Sequence, residues 1–135
     1  MKDLYIVWSK DNEIGIPIID EQHRVAVGTI NSLFYFMQMK RGVAALRPTL
    51  NVLEQYTKIH FETEEELMKL HGFRDLDAHL LLHRDLQSQA HEILHEGIVN
   101  NDATIVLNFL KEWWLDHINK QDRKFAEHLR HTGVL

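Results

Sequence analysis

The chain has 135 residues, of which 44 % are hydrophobic and 26 % charged, with a formal net charge of −5 and no cysteine. That balance describes a folded globular chain of one domain around a single core. The acidic sign excludes the basic face of a nucleic-acid binder, and the missing thiols exclude disulfides, iron–sulfur clusters and cysteine catalysis.

Residues 1–19 carry Gly15 and Pro17 and read as an extended N-terminal arm whose Trp8 covers one bundle end. Residues 1–8 are too short and too early in charge for a secretory leader, and no run approaches the ~18 apolar residues of a membrane span, so a cytoplasmic protein is expected. Asp20 is a suitable N-cap, and Val27, Ile30, Phe34 and Met37 then recur at helical spacing up to Lys40-Arg41-Gly42, a basic last turn with a glycine stop. A second helix starts near Val43, with Pro48 placed in a tolerant first turn, and runs to His71-Gly72. Asp75 can cap a third helix reaching Glu96-Gly97, and Asn101 or Asp102 can cap a fourth running to about His128. The predicted spans are 20–41, 44–71, 75–96 and 102–128. Four long helices with short connections predict an all-α, up-down-up-down antiparallel four-helix bundle.

Ten histidines are the unusual count. His60 and Glu64 stand at i, i+4 in the second helix, and His79 and His83 at i, i+4 in the third, so each pair projects from one face. His23 lies early in the first helix, and His117 and Asp122 lie in the fourth. Equal residue counts from a connecting loop mean equal depth in antiparallel helices. His23 is 19 residues before Gly42 and His60 is 18 after it; Glu64 is 9 before Phe73 and His83 is 10 after it. His83 is 16 residues before Val99 and His117 is 18 after it. All four helices therefore bring donors to one layer. Leu53, Leu67, Leu86 and Leu110 each stand seven residues from a donor histidine, which places the donors on stripes that are otherwise apolar.

Burying five imidazoles and two carboxylates without partners costs several kcal/mol for each charged group, and a metal removes that cost. Histidine and carboxylate without thiolate suit iron, manganese, zinc or copper. Five imidazoles and two acids exceed the needs of one ion. If both carboxylates bridge two ions together with an oxo or hydroxo group, the histidines divide as three and two. One metal is then saturated and the other keeps an open coordination position. A mostly neutral imidazole shell favours a ferrous pair at rest and reversible oxidation over oxygenase chemistry.

These stretches resemble the hemerythrins, specifically the single-domain bacterial ones, over essentially the whole chain. The resemblance rests on Gly15-Ile16-Pro17-Ile18-Ile19-Asp20-Glu21-Gln22-His23, His60-Phe61-Glu62-Thr63-Glu64-Glu65, His79-Leu80-Leu81-Leu82-His83 and His117-Ile118-Asn119-Lys120-Gln121-Asp122. It implies two iron ions, Fe(II) or Fe(III), with an oxo or hydroxo bridge. His79, His83 and His117 would hold the saturated iron, His23 and His60 the open one, and Glu64 and Asp122 would bridge. Phe61, Trp114 and Ile118 would wall the oxygen site; the alternative is ordinary core, with Trp114 turned into a helix–helix seam. The implied function is reversible dioxygen binding for storage, delivery or sensing, delivery requiring an oxygen-consuming partner protein. The alternative is a di-iron enzyme acting on peroxide, nitric oxide or ferrous iron, which Phe61, Trp114 and Ile118 supply with no acid. Two departures stand out: His71-Gly72-Phe73 where a Tyr-Pro pair is common, and Trp113-Trp114 where the family usually has Trp-Leu.

Other signals read more plainly. His91-Glu92-Ile93-Leu94-His95 matches the H-E-x-x-H pattern of zinc peptidases, but it lies about 120–160° from His79 on the helical wheel and reads as a solvent-facing end. His71, His128 and His131 read as exposed caps, and Glu62, Glu65 and Glu66 as solvated. His117 and Asp122 are five residues apart, about 140° on a regular helix, so a π-type wide turn is expected between them.

Overall fold

The computed structural model describes residues 4–134, apart from the side chains of residues 115–117. Among the described residues the fold is entirely helical. It consists of α1 (Pro17–Gln38), α2 (Gly42–Leu70), α3 (Leu76–Val99), α4 (Ala103–Glu112), a π-helix (Trp113–Asn119) and α5 (Lys120–His131), with a short 3-10 turn at Lys10–Asn12 ahead of them. α1 packs chiefly on α2, α2 on α3, and α3 on α4, while the π-helix joins α4 to α5 and touches α1.

Several boundaries differ from the sequence reading, each for a local reason. α1 begins at Pro17, three residues before Asp20, because proline at the first helical position needs no N–H partner and has its φ preset. Asp20 caps nothing at the helix start. Its carboxylate instead accepts the Ile14 and Gly15 N–H groups at 2.8 and 3.1 Å, bending the preceding chain back over the helix. Gly15 takes φ +90° in that bend, a conformation glycine adopts without a Cβ penalty. At the other end Gly42 starts α2 instead of stopping α1, and Lys40 supplies the left-handed residue between them at φ 58°. Pro48 consequently lies inside α2, one turn beyond the tolerant positions. Asp75 sits at the N-cap of α3 but makes no capping bond, whereas Asp102 caps α4 by accepting from Thr104 and Ile105 N–H at 3.0 and 3.2 Å.

α3 runs through Gly97 to Val99. The glycine marks a close approach of helices, because an added Cβ would overlap Val106 Cγ2 and lie 3.2 Å from the Asp102 carbonyl. Val106 is fully buried, so it cannot swing out into solvent to make room. A glycine-to-alanine change inside an exposed helix gains about 1 kcal/mol, but here overpacking costs about 1–3 kcal/mol. Gly97→Ala is therefore expected to lower the unfolding midpoint, and Val106→Ala in the same chain to recover part of the loss. A stabilised Gly97→Ala protein would contradict this packing.

The segment ahead of α1 is tied down along its length. Asn31 makes a pair of hydrogen bonds to the Ile6 backbone, both 2.8 Å, Asn119 Nδ2 donates to the Asn12 carbonyl at 2.8 Å, and Arg130 donates to the Ile14 carbonyl at 2.6 Å. Ile6, Ile14 and Ile16 are buried. Trp8 lies on the flank rather than over a bundle end. Its ring centroid is 6.2 Å from that of Trp114, and the Arg24 guanidinium sits 4.8 Å above it.

The apolar interior is split in two. One cluster gathers Val27, Ile30, Leu33, Leu46, Leu53, Phe61, Leu86, Leu94, Leu110 and Trp114, and the other gathers Ile14, Ile19, Met68, Phe73, Phe125 and Leu129. Leu53, Leu86 and Leu110 are buried as the stripe requires, while Leu67 is half-exposed and its neighbour Met68 fills the core. Between the clusters lies a polar layer.

Candidate metal centre

Six side chains from α1, α2, α3 and α5 make that layer: His23, His60, Glu64, His79, His83 and Asp122, all buried. Their donor atoms fall into two groups, His23–His60–Asp122 and Glu64–His79–His83, each with its ligand-type atoms within 4.8 Å of one another. Asp122 Oδ2 is 2.7 Å from His23 Nε2 and 2.9 Å from His60 Nε2. Glu64 Oε1 is 2.5 Å from His79 Nε2 and 3.0 Å from His83 Nε2. The second oxygen of each carboxylate turns to the opposite group, Glu64 Oε2 to His60 Nε2 at 3.3 Å and Asp122 Oδ1 to His79 Nε2 at 3.8 Å. Both acids thus stand between the two histidine sets. The seventh candidate, His117, has its backbone in the π-helix, and its side chain lies outside the described residues.

The π-helix answers the spacing problem in the fourth helix, one turn earlier than sequence placed it. The wide winding starts at Trp113, four residues before His117, and α5 resumes at Lys120. It opens on two adjacent tryptophans. Adjacent residues diverge by about 100° on an α-helix and by about 80° at 4.4 residues per turn. The wider winding lets both indoles turn inward: Trp113 is 2 % exposed and Trp114 fully buried.

Outer partners fix the imidazoles, an arrangement that orients metal-binding histidines. His60 Nδ1 lies 2.8 Å from Gln22 Oε1, and Gln22 Nε2 in turn donates to Thr63 Oγ1 at 3.1 Å. His83 Nδ1 lies 2.9 Å from Glu65 Oε2. Glu65 is therefore not simply solvated, and Gln22 was not visible as a site residue. The only sequence signal for either is adjacency to a donor, Gln22 before His23 and Glu65 after Glu64.

Aromatic rings enclose the layer. Phe61 stacks flat on His83 with centroids 3.7 Å apart, and Trp114 stands edge-on to His23 at 4.7 Å. Ile118 is buried in the same cluster as both. Tyr56, which the sequence reading passed over, stacks on His60 at 5.3 Å, and its hydroxyl finds no hydrogen-bond partner among the described residues. The remaining histidines sit elsewhere. His91, His95 and His131 are exposed, whereas His71 and His128 are half-buried, with His128 Nε2 3.3 Å from the His71 carbonyl and its ring against Phe73. Those two are part of the packing at that end rather than exposed caps.

The electrostatics are those of a site built for cationic charge. Burial pushes the His60 imidazole down, but the Asp122 and Glu64 carboxylates outweigh it and raise it to about 10. Burial likewise opposes the charged form of His83, and Glu64 again raises it. Glu64 is held well below the usual carboxylate range: burial works against it, and the bonds from His60, His79 and His83 prevail. Asp122 is raised, first by burial and then by the Glu64 charge. Two buried acids thus compete for the same positive charge. Glu64 Oε2 also has no hydrogen-bond partner among the described residues, an acceptor that a cation would satisfy. This set of imidazole nitrogens and carboxylate oxygens fits a pair of borderline divalent ions.

In the metal-free protein a proton on His60 takes the place of that charge, with a consequence for stability. The folded imidazole is raised to about 10 from 6.5, so its contribution is complete below about pH 6.5 and lost as pH rises through about 10. His83 acts in the same direction. Denaturation of the metal-free protein is expected to show stability falling by about 1.4 kcal/mol per pH unit in this window. The metal-loaded protein should lack that slope, since metal binding displaces the proton. Flat or rising metal-free stability would contradict the electrostatic reading.

Comparison with known proteins agrees with the geometry. The hemerythrin HHE cation binding domain matches residues 14–129. The chain is similar to the bacteriohemerythrin of Stenotrophomonas maltophilia, at 30 % identity over 93 % of this chain and 82 % of that protein. It is also similar to the bacteriohemerythrin of Pseudomonas aeruginosa, at 31 % over 95 % and 84 %, and to the myohemerythrin of Theromyzon tessulatum, at 27 % over 87 % and 88 %. A family match that spans residues 14–129, and so includes the buried layer of histidines and carboxylates, makes this chain a member of the hemerythrin family.

Proposed function

We propose that the chain binds dioxygen reversibly at a two-iron centre and is not an enzyme. The observation that carries this reading is the pair of buried donor groups with Glu64 and Asp122 standing between them. In this reading His23 and His60 would hold one iron, His79, His83 and His117 would hold the other, and Glu64 and Asp122 would be shared between them. The His23–His60 side, with the fewer imidazoles, would be where dioxygen is taken up. When bound, a ferrous pair supplies the electrons and the open coordination position for dioxygen. The helices form a single domain, an up-down-up-down four-helix bundle in which α4, the π-helix and α5 together serve as the fourth helix and the segment before α1 is an arm clasped to its side.

The protein's own contribution is to keep that position dry and the imidazoles fixed. Trp114 closes the His23 side and Phe61 covers the His83 face, so water is kept from the oxygen site. Gln22 and Glu65 hold the His60 and His83 rings in one tautomer each. Among the described residues Tyr56 is the buried acid beside this side of the layer apart from the carboxylates, and it is poorly suited to give up a proton. Burial first, and then the charges of Asp122 and Glu64, hold its phenol well above the usual range. A site with no ready proton donor among its described residues favours holding dioxygen over reducing it.

The test is absorbance of the anaerobically reduced, iron-loaded protein mixed with oxygen and then purged with argon. A visible band that forms with oxygen and vanishes on purging is expected. Irreversible bleaching, or steady consumption of peroxide or nitric oxide by the same sample, would replace this reading with the enzymatic one.

A further inference from the structure

One turn from the polar layer, α2, α3 and α4 leave a cavity of about 170 Å³. Its inner wall is Leu53, Thr57, Ala90, Leu94, Leu110 and Trp113, all buried. Its mouth is polar and reaches solvent between the exposed side chains of Glu54, Gln87 and His91, where His91 Nδ1 stands 4.0 Å from Glu54 Oε1. An opening flanked by these polar groups leads into an apolar interior.

We infer that this cavity is a docking site for a small apolar molecule, and that dioxygen rests there on its way to the metal layer. The second part rests on the dioxygen-binding reading above. The chemistry of the walls selects the ligand. A buried water needs two to four polar partners, and apolar cavities of roughly 150 Å³ stay dry and take xenon or benzene. Here the inner wall offers one hydroxyl, that of Thr57, among aliphatic and indole surface. Water gains little by entering, whereas an apolar gas leaves a cohesive solvent for dispersion contacts.

Position gives the cavity its role. Thr57 precedes His60 by three residues and Phe61 by four, so all three share one face of α2 and the cavity floor lies one turn from the donors. Trp113, on the inner wall, stands edge-on to Tyr56 with centroids 6.4 Å apart, and Tyr56 is the ring stacked on His60. Trp113 and Tyr56 thus form a chain of aromatic rings from the cavity wall to His60. Rotation of one ring is a fast motion compared with opening a helix seam.

The experiment is xenon pressurisation of crystals of the iron-loaded protein, paired with oxygen association kinetics. Xenon should give an anomalous peak among Leu53, Ala90, Leu110 and Trp113. Ala90→Leu fills the space without touching any proposed ligand. It should abolish the peak and slow oxygen association several-fold at unchanged iron content. Absence of a xenon peak in the unaltered protein overturns the site. A folded, fully loaded Ala90→Leu protein with unchanged oxygen association overturns its place on the route. Xenon uptake by a protein that binds no dioxygen would keep the apolar site and remove the dioxygen-binding reading, so the two fail separately.

Discussion

Trp114→Leu is expected to speed oxygen exchange in both directions, by roughly tenfold each, which corresponds to about 1.4 kcal/mol off a common barrier. The sequence left two orientations open for this indole, toward the site or into a helix seam. In the structure it is fully buried, edge-on to His23 and backed by Trp8 at 6.2 Å. It thus borders the donor group assigned to the open iron. An indole there fills space that leucine leaves free, and a barrier shared by entry and exit changes both rates more than their ratio. The equilibrium affinity should therefore move less than either rate. Water would gain access through the same gap, so the oxygenated form should also decay faster to the ferric state. Stopped-flow oxygen mixing and the lifetime of the visible band measure both effects. Trp114→Leu also removes buried contact, a cost of about 1–3 kcal/mol, so iron content and unfolding midpoint must be read alongside. Unchanged exchange and unchanged decay in a folded variant would assign Trp114 to packing alone.

His60→Ala should have the larger effect on the site itself. Its Nε2 lies close to both carboxylates, 2.9 Å from Asp122 Oδ2 and 3.3 Å from Glu64 Oε2. Without it the His23–Asp122 group keeps one imidazole, too few to hold its iron. The expected result is loss of the second iron and loss of the visible oxygen band. The metal-free protein should suffer as well. Removing the partner of a buried ionised group costs about 3–5 kcal/mol, because the partner is left charged and uncompensated. Lowering the pH should restore part of that stability by protonating Asp122, which is already raised by burial. Elemental analysis and denaturation of the variant check the two halves independently. Retention of both irons would remove His60 from the ligand set.

Much of this site could be read from spacing alone. The i, i+4 pairs His60–Glu64 and His79–His83 fix their own directions on a helix, and equal loop distances fix a common depth. Neither inference needs tertiary packing. The five-residue interval from His117 to Asp122 similarly exposed a break in regular winding. Where that break falls was not legible, because the five-residue spacing shows that regular winding must fail and not at which residue the wide turn starts.

Other features depend on contacts that sequence spacing does not encode. Asp20 looked like an N-cap because it precedes an apolar repeat, yet the backbone it serves lies behind it at Ile14 and Gly15. Gly97 was expected at the end of the third helix and is instead a contact point for Val106 within α3. Gln22 and Glu65 touch the site from positions with no periodic signature, whereas Tyr56 stands four residues before His60 on the same face of α2, a spacing that could have found it. Glu65 in particular sits in an acidic run that usually marks a solvated face, and only the position of α3 brings His83 to it.

Metal content and coupling of the purified, iron-reconstituted protein test the central claim most directly. Elemental analysis combined with Mössbauer spectroscopy should find two irons per chain in unlike environments, forming a magnetically coupled diferric pair after oxidation. A single iron, an uncoupled pair, or one tightly held zinc that survives His60→Ala would contradict it.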